Sequence, residues 1–370
     1  MSEPDRPRAW IRRATAAALA AILASGAALA AWLIVVRPDE IEVAVAEFFD
    51  RYVATDGRVV RHDHGDTVSE GQAYALLMAV ALGDNRRFAR IWDWTRTHLQ
   101  RPDGLLSWQW ADGQVRDPQP AADADLDTAH ALLLAAERFG EPAYRLEALR
   151  IAKAIREHET GAAGGRPILV AGPWARQAGL LVINPSYFHT RVFQQLGAAT
   201  GDAWWQALSD SSYDLVQALL AHGGLPPDWA VVDAAGTVSP AGAPGAPGAP
   251  ARYGLDAARI AVRFAVACDP RGQELAASLW PTFRPIPPEA IRMEYDLGGT
   301  PTTDLRHPVM LVAAAATARA AGDHARATQL LDEAKALGER VPTYYGSAWI
   351  ALGHIMLASD RLGGCPPLPA

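Results

Sequence analysis

The strongest constraint on the fold is a helical periodicity that repeats from segment to segment between residues 41 and 358, with no long alternating strand pattern between. It predicts twelve helices, over residues 41–54, 70–82, 86–99, 124–138, 143–158, 185–199, 202–221, 256–267, 271–281, 305–321, 324–338 and 345–358. Short turns of Gly, Asp or Pro join many of them, which makes consecutive helices antiparallel neighbours. Six hairpins suit a closed ring of inner and outer helices. The alternative is a helical solenoid, but the sequence has no repeat of fixed period.

The links between hairpins are longer and hold most of the Gly and Pro residues, together with four of the twelve tryptophans; they span residues 55–69, 100–123, 159–184, 222–255 and 282–304. Long loops at one end of a helical scaffold are where a functional site is built. One of them contains the tract 239–250 (SPAGAPGAPGAP). Because Gly and Pro disfavour regular structure, we expect this tract to form neither helix nor strand pairing and to be inert.

The amino terminus resembles a membrane anchor. Four arginines between residues 6 and 13 precede an uncharged run over 14–36, and acidic residues follow it. A helix of that length spans roughly 34 Å, enough for the ~30 Å hydrocarbon core. The charge asymmetry predicts a cytoplasmic segment at 1–13, a transmembrane helix at 14–36, and a folded domain at 41–360 in the periplasm, anchored to the inner membrane. The alternative is a cleaved signal peptide, which would leave a periplasmic or secreted protein.

Charge and cysteine content exclude some classes of function. The net charge is −7 with no basic stripe, which argues against a nucleic-acid partner. Cys268 and Cys365 are too few for a disulfide framework or a cysteine zinc module, although one disulfide between them is possible. The segment 62–64 (HDH) contains zinc-type ligands, but polar residues of an exposed loop give the same pattern, and we expect no metal.

Carboxylates stand at three junctions between a loop and a helix. Glu70 lies in 69–74 (SEGQAY), Asp123 and Asp125 lie in 121–127 (AADADLD), and Asp256 lies in 253–259 (YGLDAAR). Any one of them could simply cap a helix, because acids are favourable at helix amino termini. Three together, each beside a loop rich in aromatic residues, favour an enzyme that works with carboxylates.

These segments resemble the motifs of glycoside hydrolase family 8. SEGQ-x-Y is similar to its acid-bearing motif, DADLD to its A-[ST]-D-[AG]-D signature, and YGLDAAR to its Y-D-A-x-R stretch. Further similar segments follow in the family's order over about residues 45–358: WDWT (92–95), LSWQW (106–110), GPW (172–174), NPSYF (184–188), SSY (211–213), LPPDW (225–229) and YY (344–345). Ala122 and Thr128 depart from the signature without removing a carboxylate. The resemblance implies an (α/α)6 barrel, and it is strongest to the endo-β-1,4-glucanases associated with bacterial cellulose synthase.

The resemblance also implies an inverting mechanism, with Glu70 as general acid and Asp256 as general base. Asp123 would bind and distort the sugar at the cleavage site, and Asp125 would support Asp123 by hydrogen bonding. A helix amino terminus favours an ionised Glu70, whereas a general acid must hold its proton. We therefore expect burial against aromatic residues, or the charge of Asp123, to raise the pKa of Glu70.

The aromatic residues of the long loops have a role in this reading, because flat rings stack on the faces of pyranose sugars. The residues expected to contact substrate are Trp108, Trp110, Trp174, Trp229, Tyr74 and Tyr187. Tyr213 is expected to orient the attacking water, and Arg259 to fix Asp256 by a charge-assisted bond. The tryptophans within helical segments are expected in the core.

The expected function is endo-acting hydrolysis of β-1,4-glucosidic bonds in cellulose, without a cofactor. The expected partners are a β-1,4-glucan chain, the cellulose synthase complex and the membrane. One alternative keeps the chemistry but changes the glycan to xylan, mixed-linkage glucan or chitosan. The other is a glycan-binding assembly subunit without catalysis.

Overall fold

The computed structural model describes residues 39–177, 179–246 and 248–363. The predicted segments at 1–13 and 14–36 lie outside these residues, and none of the described helices is long and apolar enough to cross a membrane. The chain separates into a unit that ends at Val43 and a unit of Ala44–Ala370. The described part of the first unit is residues 39–43, where a helix begins.

Thirteen α-helices occur in the described residues, and all twelve predicted helices are among them. They are α1 Glu40–Tyr52, α2 Ser69–Leu82, α3 Asn85–His98, α4 Ala122–Phe139, α5 Pro142–His158, α6 Thr190–Thr200, α7 Trp204–Leu220, α8 Ala258–Ala265, α9 Pro270–Ser278, α10 Trp280–Phe283, α11 Pro308–Ala320, α12 His324–Arg340 and α13 Tyr344–Ala358. The single turn α10 was not predicted. The helix predicted from residue 185 begins at Thr190, after a 3-10 turn at Pro185–Tyr187.

Tight turns join the helices of each hairpin, as the sequence predicts. Gly83, Gly140 and Gly201 follow α2, α4 and α6 in the left-handed conformation, with φ of 70°, 68° and 69°. Glycine adopts this conformation without the steric penalty of a Cβ atom, so it stops a helix and turns the chain back. The side chain of Asp84 then caps α3 by accepting a hydrogen bond from Arg87 N at 2.9 Å.

Six helices of the second unit form a closed inner ring. Each contacts the next in the order α2, α4, α6, α8, α11, α13, and α13 contacts α2 again. Helices α2, α11 and α13 are buried on nearly all sides, which fits their Ala-rich, uniformly apolar sequences. Helices α3, α5, α7, α9 and α12 each pack outside the inner helix that precedes them. This arrangement confirms the predicted ring and excludes the solenoid.

The ring determines where the long links lie. Each short turn joins the end of an inner helix to the start of an outer one, so each long link returns to the start of the next inner helix. The starts of the inner helices and the long links therefore share one end of the ring.

Short strands lie within these links. They are β1 Thr67–Val68, β2 Gln109–Ala111, β3 Gln114–Asp117, β4 Thr160–Ala163, β5 Arg166–Leu169, β6 Arg176–Gln177, β7 Leu180–Ile183, β8 Trp229–Asp233 and β9 Val238–Ala241. Strand β9 shows that the expectation for the tract 239–250 was wrong at its start, because Ser239 pairs with Val231 and Pro240 with Ala230. The sheet order is β6-β7-β8-β9, so β9 is an edge strand, where a proline without an N–H is tolerated.

Candidate active site

A cavity of about 280 Å³ opens at the end of the ring where the inner helices begin. It is lined by residues from four inner-helix starts and from the link before α2: Arg61, Asp63, His64, Val68, Glu70, Tyr74, Tyr187, Asp256, Arg259, Thr343, Tyr344 and Tyr345. The structure thus brings Glu70 and Asp256 to one cavity, although they are far apart in sequence. A larger cavity of about 840 Å³, near Leu133 and Ala199, is lined by none of the predicted site residues.

Glu70 lies in the first turn of α2, partly exposed to the cavity. Its Oε1 accepts a hydrogen bond from Trp108 Nε1 at 3.1 Å, and its Oε2 accepts one from Ser69 Oγ at 3.3 Å. Burial raises the pKa of Glu70 to about 7, and the negative charge of Asp123 adds to the rise. Both causes are those expected from the sequence, and they outweigh the preference of a helix start for the charged form. Glu70 can therefore hold a proton near neutral pH.

Arg259 joins two of the predicted carboxylates. It is buried, and its Nη1 donates to Asp123 Oδ2 at 2.5 Å while its Nη2 donates to Asp256 Oδ1 at 2.9 Å. The other oxygen of Asp256 accepts a hydrogen bond from Asn184 Nδ2 at 3.0 Å. The side chain of Asp256 is still 36% exposed, whereas that of Asp123 is 2% exposed. Asp256 is thus held in position but open to a water molecule.

Asp228 belongs to the site but is not among the site residues predicted from the sequence. Its Oδ1 accepts hydrogen bonds from Gly254 N at 3.0 Å and Ala257 N at 2.8 Å, on either side of Asp256. Burial raises the pKa of Asp228 to about 6, and the charge of Asp256 contributes. A Cβ at Gly254 would lie 2.5 Å from Asp228 Oδ2, so this approach requires glycine. The signal was present in the sequence, because Asp228 and Asn184 lie in the LPPDW and NPSYF segments.

An aromatic run extends from the Asp256 side of the cavity. The ring of Tyr187 lies 6.4 Å from that of Trp229, which lies 6.3 Å from the 38%-exposed Trp174. The guanidinium of Arg259 sits 5.3 Å from the Tyr187 ring. The structure therefore brings these three predicted sugar contacts together and links them to the carboxylates.

Trp110, like Trp174 and Trp229, does not line the cavity itself, and other side chains cover part of its ring. The guanidinium of Arg58 covers its ring at 4.4 Å, and the rings of Trp94 and His98 contact it at 5.4 and 5.6 Å. Trp110 packs against the buried cluster that contains Trp94 and is half-buried, so its contact with a sugar stays a prediction. The position of Trp110 in a predicted loop did not indicate that the side chains of Arg58, Trp94 and His98 contact its ring.

The structure also corrects two polar assignments. Tyr213 is buried in the outer helix α7, where its hydroxyl donates to Thr190 Oγ1 at 3.1 Å, so it cannot orient a water in the cavity. Asp125 is fully buried and accepts a hydrogen bond from Leu106 N at 2.9 Å. Residues two apart on a helix face different directions, which is why Asp125 supports neither Asp123 nor the substrate. It instead fixes the loop that carries Trp108.

A second buried ion pair lies one helical turn below Asp123 and Arg259. Arg263 donates two hydrogen bonds to the carboxylate of Asp127, both at 2.8 Å. Asp127 follows Asp123 by four residues on α4, and Arg263 follows Arg259 by four residues on α8, so the two pairs stack. The stacked pairs hold α4 and α8 in register beneath the cavity.

Among the described residues, no group of three or more His, Cys, Asp or Glu side chains is placed to hold a metal ion. Asp63 and His64 of the HDH segment instead line the cavity beside Arg61.

Comparisons with known proteins agree with this geometry. Residues 11–352 match glycosyl hydrolases family 8. A probable endoglucanase of Novacetimonas hansenii is 33% identical over 235 residues, which cover 61% of this chain and 67% of that protein. An endoglucanase of Pseudomonas fluorescens is 34% identical over 175 residues, 44% of each chain. The solved structure of the endo-β-1,4-glucanase CMCax of Acetobacter xylinum superposes with a TM-score of 0.74 at 29% identity, over 88% of this chain and 99% of that one.

Proposed function

The chain belongs to glycosyl hydrolases family 8, and from that premise we propose how it works: as an endo-β-1,4-glucanase, it cuts internal bonds of a cellulose-type chain with inversion at the anomeric carbon. The observation that carries the mechanism is the cavity shared by Glu70 and Asp256. Inverting hydrolysis needs two carboxyl groups with opposite tasks on opposite faces of one sugar.

Glu70 is the proton donor in this mechanism. Its carboxyl, with a pKa raised to about 7 by burial, protonates the glycosidic oxygen as the bond from that oxygen to C1 breaks. Trp108 fixes the direction of the carboxyl through its Nε1–H. The departing sugar leaves as a neutral alcohol, and Glu70 is left ionised.

Asp256 is the proton acceptor. One of its oxygens faces Arg259 and the other faces Asn184, while the carboxylate stays open to the cavity. It removes a proton from a water that attacks C1 from the face opposite the leaving oxygen. Proton transfer from Asp256 back to Glu70 through solvent resets the site. Tyr187 replaces Tyr213 as the hydroxyl near this water, because it lines the cavity beside Asp256.

The aromatic run binds the glucan, and Asp123 supports the site from beneath it. The side chain of Asp123 is 2% exposed and shares Arg259 with Asp256, so it acts by fixing Arg259 and by raising the pKa of Glu70. Trp229 and Trp174 offer stacking faces to successive glucose rings. An open run of this kind suits a long chain that is cut internally.

We also propose that the enzyme acts outside the cytoplasm, held by the apolar segment at 14–36 or released after its cleavage. The arginines before that segment and the acids after it support this orientation. A glucanase outside the cytoplasm would meet a glucan strand as a cellulose synthase complex exports it. Cell fractionation with and without a cellulose synthase tests this placement.

The activity is tested by measuring reducing ends released from carboxymethylcellulose, and by proton NMR of the first anomer formed from cellohexaose. The parent should release reducing ends and form the α-anomer first. Glu70→Gln and Asp256→Asn should each lose nearly all turnover while still binding cellohexaose. If the parent hydrolyses xylan or chitosan in preference to carboxymethylcellulose, its substrate is that glycan and not cellulose. If it binds cellohexaose without turnover, the protein is a glycan-binding subunit.

A further inference from the structure

The turn of residues 61–66, between α1 and α2, forms a rigid wall of the cavity. Its two ends pair through Arg61 N and Asp66 O at 2.9 Å. The guanidinium of Arg61 also donates to both carboxylate oxygens of Asp66, at 2.7 and 2.5 Å. Gln109 Nε2 donates to the same carboxylate at 2.6 Å, which ties the turn to β2. The side chains at the tip are therefore presented from a fixed backbone.

Two of those tip side chains face the cavity with unused hydrogen-bonding capacity. Asp63 and His64 are exposed, line the cavity, and make no hydrogen bond from their side chains to another described residue. Their neighbour His62 differs, because its Nε2 contacts Arg51 O at 2.8 Å and it does not line the cavity. Carboxylate and imidazole groups in such a position suit the hydroxyl groups of a sugar.

The turn lies on the Glu70 side of the cavity. Gln109, which bonds Asp66 of the turn, directly follows Trp108, whose Nε1 bonds Glu70. On the other side, Arg259 bonds Asp256 and its guanidinium lies 5.3 Å from the ring of Tyr187, where the aromatic run begins. In an inverting reaction, water attacks C1 from the side of the base, and the leaving oxygen departs towards the acid. The sugar that leaves is therefore on the side of Glu70.

We infer that Asp63 and His64 bind hydroxyl groups of the sugar on the reducing-end side of the cut bond. The glucan then runs in one direction through the site, with its non-reducing part along Trp174, Trp229 and Tyr187 and its reducing part across the 61–66 turn. This inference rests on the proposed function, and it assigns the polarity of the bound chain.

The test measures how well cellohexaose is bound and where it is cut. Cellohexaose labelled with ¹⁸O at its reducing end is digested by the parent, by the double variant Asp63→Ala/His64→Ala, and by His62→Gln as a control from the same turn. Mass spectrometry of the products gives the cleavage pattern. The singles Asp63→Asn and His64→Gln, which nearly preserve side-chain size, guard against a folding defect, and thermal unfolding is recorded for every variant.

The double variant should raise KM for cellohexaose by roughly three- to tenfold for each hydrogen bond lost. The cleavage pattern should stay that of the parent, because every productive binding mode places a sugar at this position and the loss weakens all modes alike. Hydrolysis of an aryl β-cellotrioside should change less than twofold, since its leaving group has no sugar hydroxyls. The His62→Gln control should match the parent in all three measurements.

An unchanged KM in a folded double variant would overturn the inference and leave the proposed function intact. So would an equal loss on cellohexaose and the aryl substrate, or a shifted cleavage pattern, which would place the two side chains at a sugar further from the cut bond. A parent that is inactive on every glucan would overturn the proposed function together with the inference.

Discussion

The hydrogen bond from Trp108 to Glu70 offers a quantitative test of the general acid. Trp108 Nε1 donates to Glu70 Oε1 at 3.1 Å, and this bond stabilises the ionised form, so it lowers a pKa that burial has raised to about 7. Trp108→Phe keeps an aromatic ring and removes the donor. The pKa of Glu70 should therefore rise further.

The size of that rise follows from the strength of the bond. A hydrogen bond to a charged group contributes ~1.5–3 kcal/mol when buried, and Glu70 is partly exposed, so we take the lower end of that range. At ~1.4 kcal/mol per pKa unit, the pKa should rise by about one unit. Because Glu70 must be protonated to act, kcat/KM falls as the pH rises through this pKa. The alkaline limb of the profile should move upward by about one pH unit.

The assay is the pH dependence of kcat/KM on cellohexaose for the parent and Trp108→Phe. Trp229→Phe is the matched control, because it also changes an aromatic sugar contact but does not touch Glu70. The control should raise KM without moving the alkaline limb. A limb that stays in place or moves to lower pH in Trp108→Phe would refute Glu70 as the proton donor.

Three further changes test other parts of the site. Asp123→Asn removes a negative charge, so the pKa of Glu70 should fall, and ¹³C NMR of labelled glutamate should show a lower titration midpoint; an unchanged midpoint would contradict the coupling. Tyr213→Phe should keep at least half of the parent kcat, because its hydroxyl contacts Thr190 and not the cavity; a hundredfold loss would restore its predicted role. Gly71→Ala should lower the free energy of unfolding by ~1–3 kcal/mol in urea denaturation, because the added methyl would overlap the Tyr344 hydroxyl; unchanged stability would show that the tyrosine moves freely.

The fold could be predicted from the sequence because its signals are local. Apolar periodicity identified all twelve longer helices, and glycines such as Gly83 and Gly201 marked the hairpin turns. The uneven link lengths then placed the long loops at one end of the ring. The strand at Val238–Ala241 escaped prediction because its pairing with β8 depends on a neighbour distant from the local Gly/Pro composition.

The site was predictable only in part. Glu70, Asp123 and Asp256 could be found because each stands at the start of an inner helix within a recognisable motif. The environment of Trp110 could not be predicted, because Arg58 and Trp94 contact its ring only in the folded chain. The same holds for Asp228, whose importance rests on two backbone N–H groups across a loop.

The central claim is that Glu70 and Asp256 act on opposite faces of one bound sugar. The most direct measurement is a crystal structure of the Glu70→Gln variant with cellohexaose bound. The account predicts the side chain at position 70 within hydrogen-bonding distance of a glycosidic oxygen, and a water between Asp256 and C1 of the same sugar. The side chains at positions 70 and 256 should then be ~6.5–9.5 Å apart. A glucan bound away from either side chain, or a separation of only ~5 Å with no room for a water, would contradict it.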